Sequence, residues 1–95
     1  MLNGKQKRYL RSLAQTDKAI FQIGKDGLSD NLAEQVGNAL KARELVKISV
    51  LKTGPVDLQE TAFDLAMLTK SEVVQIIGRT IILYKQAKEP KILLP

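Results

Sequence analysis

The chain has 95 residues, 44% of them apolar, with no cysteine, no histidine and a formal net charge of +5. That length suits one domain with a single core and excludes a large enclosed substrate cavity. The missing residue types exclude disulfides, thiolate and imidazole catalysis, and the usual transition-metal ligand sets.

No apolar run approaches the roughly 20 residues that span a bilayer. The polar opening Met1-Leu2-Asn3 carries no cleavable apolar leader, so a soluble, cytoplasmic protein is expected. The charge is unevenly spread. Residues 1–25 carry a net +5, residues 26–70 a net −2 and residues 71–95 a net +2. Basic ends framing an acidic middle suit a polyanion, nucleic acid before an anionic membrane. Ordinary solubilising lysine is the alternative.

Asn3 can cap a first helix over residues 4–14, in which Tyr9, Leu10, Leu13 and Ala14 form an apolar stripe. Its other face carries Lys5, Lys7, Arg8 and Arg11, and Thr16-Asp17 ends the pattern. Residues 19–23 (AIFQI) predict a first strand. After Gly24-Lys25-Asp26-Gly27, Ser29 is a helix N-cap and Asp30 complements the dipole. Leu32, Val36, Ala39 and Leu40 then share one face of a helix ending near Arg43. Residues 45–51 alternate, with Val46, Ile48 and Val50 opposite Lys47 and Ser49, which predicts a strand with one polar face.

Thr53-Gly54-Pro55 reads as a turn, and Asp57 with Glu60 has the spacing of a capping box. Leu58, Ala62, Leu65 and Ala66 make the next helical stripe. Two β-branched runs, residues 72–77 and 80–84, flank Gly78-Arg79 as a tight hairpin. Residues 86–95, with two prolines, are expected to be an extended or loosely attached tail. The order α-β-α-β-α-β-β predicts an α+β, two-layer fold: a four-stranded mixed sheet packed by helices.

Binding chemistry is better supplied than catalysis. The chain has no nucleotide-binding lysine motif, nucleophile elbow or dinucleotide fingerprint. Asp57, Glu60 and Asp64 lie near one helical face and could in principle hold Mg²⁺, as a small nuclease would require. Capping and dipole compensation explain them better, and neither metal nor cofactor is expected. In Gly24-Lys25-Asp26-Gly27, two glycines before a helix allow backbone N–H groups to approach an anion, and Lys25 adds charge. Asp26 would repel phosphate unless it points away or caps the helix. A plain strand-to-helix turn is the competing reading. Lys7, Arg8 and Arg11 lie within about one turn of each other, and the first strand links that helix to the loop, so the two could share one surface. The four aromatics are expected to be mostly core, with Tyr84 the best candidate for partial exposure. Binding should therefore lean on phosphates and RNA shape, with strong salt dependence.

Several separated segments carry a resemblance: residues 2–13 (LNGKQKRYLRSL), 23–28 (IGKDGL), 44–48 (ELVKI), 75–85 (QIIGRTIILYK) and 90–95 (PKILLP). In this order they resemble the CRM (chloroplast RNA splicing and ribosome maturation) domain in its stand-alone bacterial form, the YhbY-like proteins. The resemblance covers essentially the whole chain, as one domain over residues 1–95. It implies a fold similar to the C-terminal domain of bacterial translation initiation factor three. It also implies RNA binding through the G-x-x-G loop, here Gly24 to Gly27, and an association with precursors of the large ribosomal subunit. The site residues expected are Gly24, Lys25, Asp26 and Gly27, extended by Lys5, Lys7, Arg8 and Arg11. Arg79, Lys85, Lys88 and Lys91 are secondary candidates. A monomer without a small-molecule substrate is expected. A protein–protein adaptor, binding a basic ribosomal protein through the acidic middle helices, is the alternative.

Overall fold

Each expected helix start is made by a side chain that accepts a backbone N–H three residues on, in a computed structural model that describes residues 2–95. Asn3 Oδ1 accepts from Gln6 N (2.8 Å) and Gln6 Oε1 accepts from Asn3 N (3.1 Å), a reciprocal capping box opening α1 (Gly4–Ala14). Ser29 Oγ accepts from Leu32 N (3.1 Å) at the start of α2 (Asp30–Arg43). Asp57 Oδ1 accepts from Glu60 N (3.0 Å) at the start of α3 (Leu58–Thr69). Each cap satisfies a donor that the first helical turn leaves without a partner.

The strands are β1 (Phe21–Ile23), β2 (Leu45–Val50), β3 (Glu72–Ile77) and β4 (Thr80–Tyr84). They form one mixed sheet in the order β1-β2-β4-β3, with β1 parallel to β2 and the other pairs antiparallel. The expected α+β class and four-stranded mixed sheet are both present. Gly78 takes a φ of 58° at the β3–β4 turn, as the two-residue hairpin requires. β1 is shorter than expected. Ala19 and Ile20 precede it, although Ile20 N still donates to Lys47 O (3.1 Å).

Alternation along the strands divides the core in two. Val46, Ile48 and Val50 of β2, with Ile81 and Leu83 of β4, pack beneath Val36 and Leu40 of α2 and Ala62 and Leu65 of α3. Leu45, Ile82 and Tyr84 point the other way, against Leu10 and Ala14 of α1. Helices therefore cover both faces, which adds a third layer to the two expected. The β2 face expected to be polar is roofed by α1. Lys47 remains there by donating its Nζ to Ala14 O (3.2 Å), at the end of α1, and to Asp17 O (3.3 Å) in the turn that follows. Fully buried Leu10 anchors α1, a burial that stabilises by roughly 1.5–3 kcal/mol.

The tail after Tyr84 contains no helix or strand, but it is fastened rather than loose. Ile92 and Leu94 pack on the α1-side cluster. Glu44, fully buried at the C-cap of α2, accepts N–H bonds from Ala87 (3.0 Å), Lys91 (2.6 Å) and Ile92 (2.9 Å). Burial pushes the Glu44 carboxyl up, but the three backbone donors and the Lys91 charge outweigh it and hold the group below its ordinary value.

Tyr84, the aromatic expected to be partly exposed, is instead 4% exposed beneath this tail, and its hydroxyl has no partner among the described residues. Its pKa is raised by burial and by the negative charges of Glu44 and Glu72. Because an unpaired buried hydroxyl costs more than an apolar edge, Tyr84→Phe is expected to raise stability by about 0.5–1 kcal/mol in urea titration.

Candidate functional site

Gly24 to Gly27 form a tight turn at the end of the sheet where β1 and β2 finish. Gly27 N donates to Gly24 O (3.0 Å), and Gly27 has a φ of 68°, so a side chain there would be strained. Lys25 and Asp26 are exposed at the tip, and no other described residue accepts their N–H groups. The cap of α2 is Ser29, and Asp26 has no polar partner among the described residues. Its carboxylate therefore faces solvent beside Lys25. The loop offers two free backbone donors and one ammonium, set against one carboxylate.

Two further segments brace the loop. Leu51 N donates to Ile23 O (2.9 Å), and Gly54 N donates to Leu51 O (2.9 Å), folding residues 51–55 against the base of the turn. A Cβ at Gly54 would lie 2.7 Å from Ile23 O and 3.0 Å from Gly24 O, so only glycine fits there. In the sequence Gly54 reads as an ordinary turn residue. Its closeness to the loop joins segments about 30 positions apart and has no local signature.

Arg79 stands at the same end of the sheet. Its Nε donates to Val50 O (3.0 Å), and its Nη2 donates to Leu51 O (2.7 Å) and Pro55 O (3.4 Å). The guanidinium thus ties the hairpin to the bracing segment. α2 and α3 both begin here, and Leu28, Pro55 and Asp57 line one shallow groove. The positive ends of these two helices are offset by Asp30 and Glu60 in their first turns.

The basic residues of α1 lie elsewhere. Leu2 N donates to Glu72 Oε2 (2.9 Å), and Gln6 Nε2 donates to Pro95 O (3.3 Å). Glu72, Tyr84 and Leu45 are in register at the opposite end of the sheet from the loop. Five strand steps along β2 put the two ends about 17 Å apart. Lys5, Lys7 and Arg8 are exposed at that far end, whereas Arg11 reaches mid-sheet and donates its Nη1 to Gln75 Oε1 (3.2 Å). The loop and α1 are therefore not direct neighbours. Between them runs a polar strip of the same sheet face, with Gln22, Ser49 and Thr80 in register.

Lys85 donates its Nζ to Thr69 O (3.2 Å) at the C-terminus of α3, and Lys91 reaches Ala42 O (3.4 Å), while Lys88 is exposed. Of the basic residues expected in the site, seven thus lie on α1 and the tail, with Arg79 in the hairpin turn and Lys25 alone in the loop. The aromatics also differ from expectation. Phe63 is 62% exposed and Tyr9 40% exposed. The signal for Phe63 was present in the sequence, since it falls outside the α3 stripe of Leu58, Ala62, Leu65 and Ala66.

No helix among the described residues is long and apolar enough to cross a membrane. Residues 2–85 match the family described as the CRS1 / YhbY (CRM) domain. The Bacillus subtilis "Probable RNA-binding protein YqeI" is 50% identical over 91 residues, covering 96% of this chain and 95% of the relative. An "RNA-binding protein" of Haemophilus influenzae is 33% identical over 94 residues, covering 99% of this chain and 95% of the relative. Among solved structures, the hypothetical protein SAV1595 of Staphylococcus aureus, described as an RNA-binding candidate, superposes with a TM-score of 0.85. The identity is 48%, and the match covers 100% of both chains.

Proposed function

The chain belongs to the CRS1/YhbY (CRM) domain family, and on that premise we propose that it is a non-enzymatic RNA-binding protein acting in assembly of the large ribosomal subunit. In this reading one domain, residues 1–95, contacts ribosomal RNA backbone through Gly24 to Gly27. The observation that carries it is the exposed turn tip, where the Lys25 and Asp26 N–H groups have no partner among the described residues and Lys25 stands beside them. A phosphate is the anion such a nest of donors accommodates. Relatives named as RNA-binding over nearly the same length support the same ligand class. From the loop, the polar strip of Gln22, Ser49 and Thr80 leads across the sheet face to Arg11, and α1 extends it with Arg8, Lys7 and Lys5. The RNA is held mainly by its phosphates, so affinity falls steeply with salt.

Gly24→Asp combined with Lys25→Glu tests the loop. Gly27 is left intact because its positive φ would confound folding with binding. A Cβ at Gly24 meets only Leu51 Cδ1 at 3.8 Å, an ordinary approach, so the thermal midpoint should hold. Filter binding to a large-subunit ribosomal RNA fragment is expected to weaken about tenfold or more, about 1.4 kcal/mol. The slope of log K against log salt should shrink by roughly 0.7 for each phosphate that the variant no longer neutralises. Unchanged affinity in the folded variant would sink the loop assignment. Equal wild-type affinity for large- and small-subunit RNA would sink the assembly role.

A further inference from the structure

Among the described residues, the two non-glycine residues with positive φ are both charged. Glu44 (66°) grips the tail, whereas Lys70 (56°) closes α3, with its own N–H donating to Met67 O (3.3 Å) and that of Ser71 to Ala66 O (2.8 Å). Lys70 is the C-cap of α3 in a left-handed conformation where glycine or asparagine is preferred. Its ammonium has no polar partner among the described residues, and neither does that of Lys7. Both line a groove of about 410 Å³ between α3 and the edge strand β3. Phe63 and Met67, one turn apart, form the apolar wall, and they are 62% and 65% exposed. An aromatic face of this size left in solvent, between two unpaired ammoniums, is the least explained feature of the surface.

We propose that this groove is a stacking site for a base of single-stranded RNA, with Phe63 as the platform and Lys7 and Lys70 contacting the flanking phosphates. The inference rests on the RNA-binding reading and extends it to a second surface of α1, because Lys7 belongs to both. A stacked nucleotide presents a π face and negative charge together, the pairing that Phe63 and the two lysines complement. An added peptide strand fits less well. β3 has a register shift between Val73 and Gln75, and such a bulge interrupts the ladder that strand addition would continue. Glu72 also lines the groove, and one of its carboxylate oxygens accepts the Leu2 N–H (2.9 Å). It leaves the local balance at two positive charges to one negative.

Phe63→Leu keeps an apolar side chain but removes the π face. Against a labelled single-stranded oligoadenylate it is expected to weaken binding about tenfold, with the salt slope unchanged. Lys70→Gly relieves the left-handed backbone, so its thermal midpoint should hold or rise while affinity and salt slope both fall. Because the chain has no tryptophan, Phe63→Trp supplies a single indole whose emission a stacked base should quench. Wild-type affinity in Phe63→Leu, with no quenching in Phe63→Trp, overturns the groove while leaving the loop reading intact. Quenching by an acidic apolar peptide but not by the oligonucleotide overturns it in favour of a protein partner. A wild-type protein that binds neither the oligonucleotide nor ribosomal RNA overturns both readings.

Discussion

Glu44→Ala is expected to lower the thermal midpoint by about 15 °C and to expose residues 86–95 to proteolysis. The carboxylate is fully buried and accepts three backbone N–H groups from the tail, from Ala87, Lys91 and Ile92. A hydrogen bond to a charged acceptor contributes roughly 1.5–3 kcal/mol. The tail can swing out and hydrate its donors when the acceptor is gone, so the three do not add. A net loss of about 3 kcal/mol is the reasonable scale, and 1 kcal/mol shifts the midpoint of a domain this size by about 4–8 °C. Release of the tail would also strip Ile92 and Leu94 from the cluster around Leu10 and Tyr84. Glu44→Gly separates the two roles of the residue. It removes the strain of a φ of 66° but also removes the acceptors, so it should recover only about 1 kcal/mol of the loss. Full stability in Glu44→Ala, measured by calorimetry, would show that the tail does not depend on this carboxylate.

The same group gives the domain an acid limb. Its pKa is lowered in the folded state relative to an ordinary 4.5. The stabilisation is therefore complete above the unfolded value and is lost as pH falls through the lower folded value. Urea midpoints should be flat near neutrality and decline below about pH 4.5. Glu44→Gln, which keeps one acceptor oxygen and cannot titrate, should start less stable and show a shallower decline. An identical acid limb in the two proteins would assign the loss to other carboxyls.

Gly54→Ala is expected to destabilise the domain by about 1–3 kcal/mol, the usual range for forced overpacking, and to disturb the loop at Gly24 to Gly27. The added methyl would meet three backbone carbonyl oxygens, Ile23 O at 2.7 Å, Gly24 O at 3.0 Å and Leu51 O at 3.1 Å. Backbone cannot rotate aside as a side chain can, so either residues 51–55 lift away or the end of β1 shifts. Amide spectra should show changes at Lys25 and Asp26, and RNA affinity should fall without any change of charge. Gly37→Ala is a suitable control, since a Cβ there meets only Thr69 Cγ2 at 3.9 Å. Wild-type affinity in a Gly54→Ala protein that still folds would mean that the loop does not need this support.

Where sequence patterns were informative, the interactions were local. The caps at Asn3, Ser29 and Asp57 each link residues three positions apart, and Gly78 makes its turn within a two-residue connection. The role of Glu44 has no such pattern, because its partners lie 43 to 48 positions away. Tyr84 was missed for a related reason. A strand residue is buried or exposed according to what covers its face, and here the tail and α1 cover Tyr84, whereas the outward turn of Phe63 follows from its place outside the α3 stripe. The loop and the basic helix share a sheet face but are not direct neighbours: α1 starts at the far end of the sheet and reaches mid-sheet at Arg11.

The sequence by itself determined the seven elements, the alternation that builds the sheet, and the loop of two glycines before a capped helix. These follow from periodicity, capping and turn chemistry, which act over a few residues. Only the tertiary structure decided that α1 and the tail roof the second face of the sheet and that Gly54 braces the loop. It also placed Lys5, Lys7 and Arg8 of α1 at the end of the sheet opposite the loop. Those outcomes depend on which distant surfaces exclude water from one another, and a linear pattern does not specify that pairing.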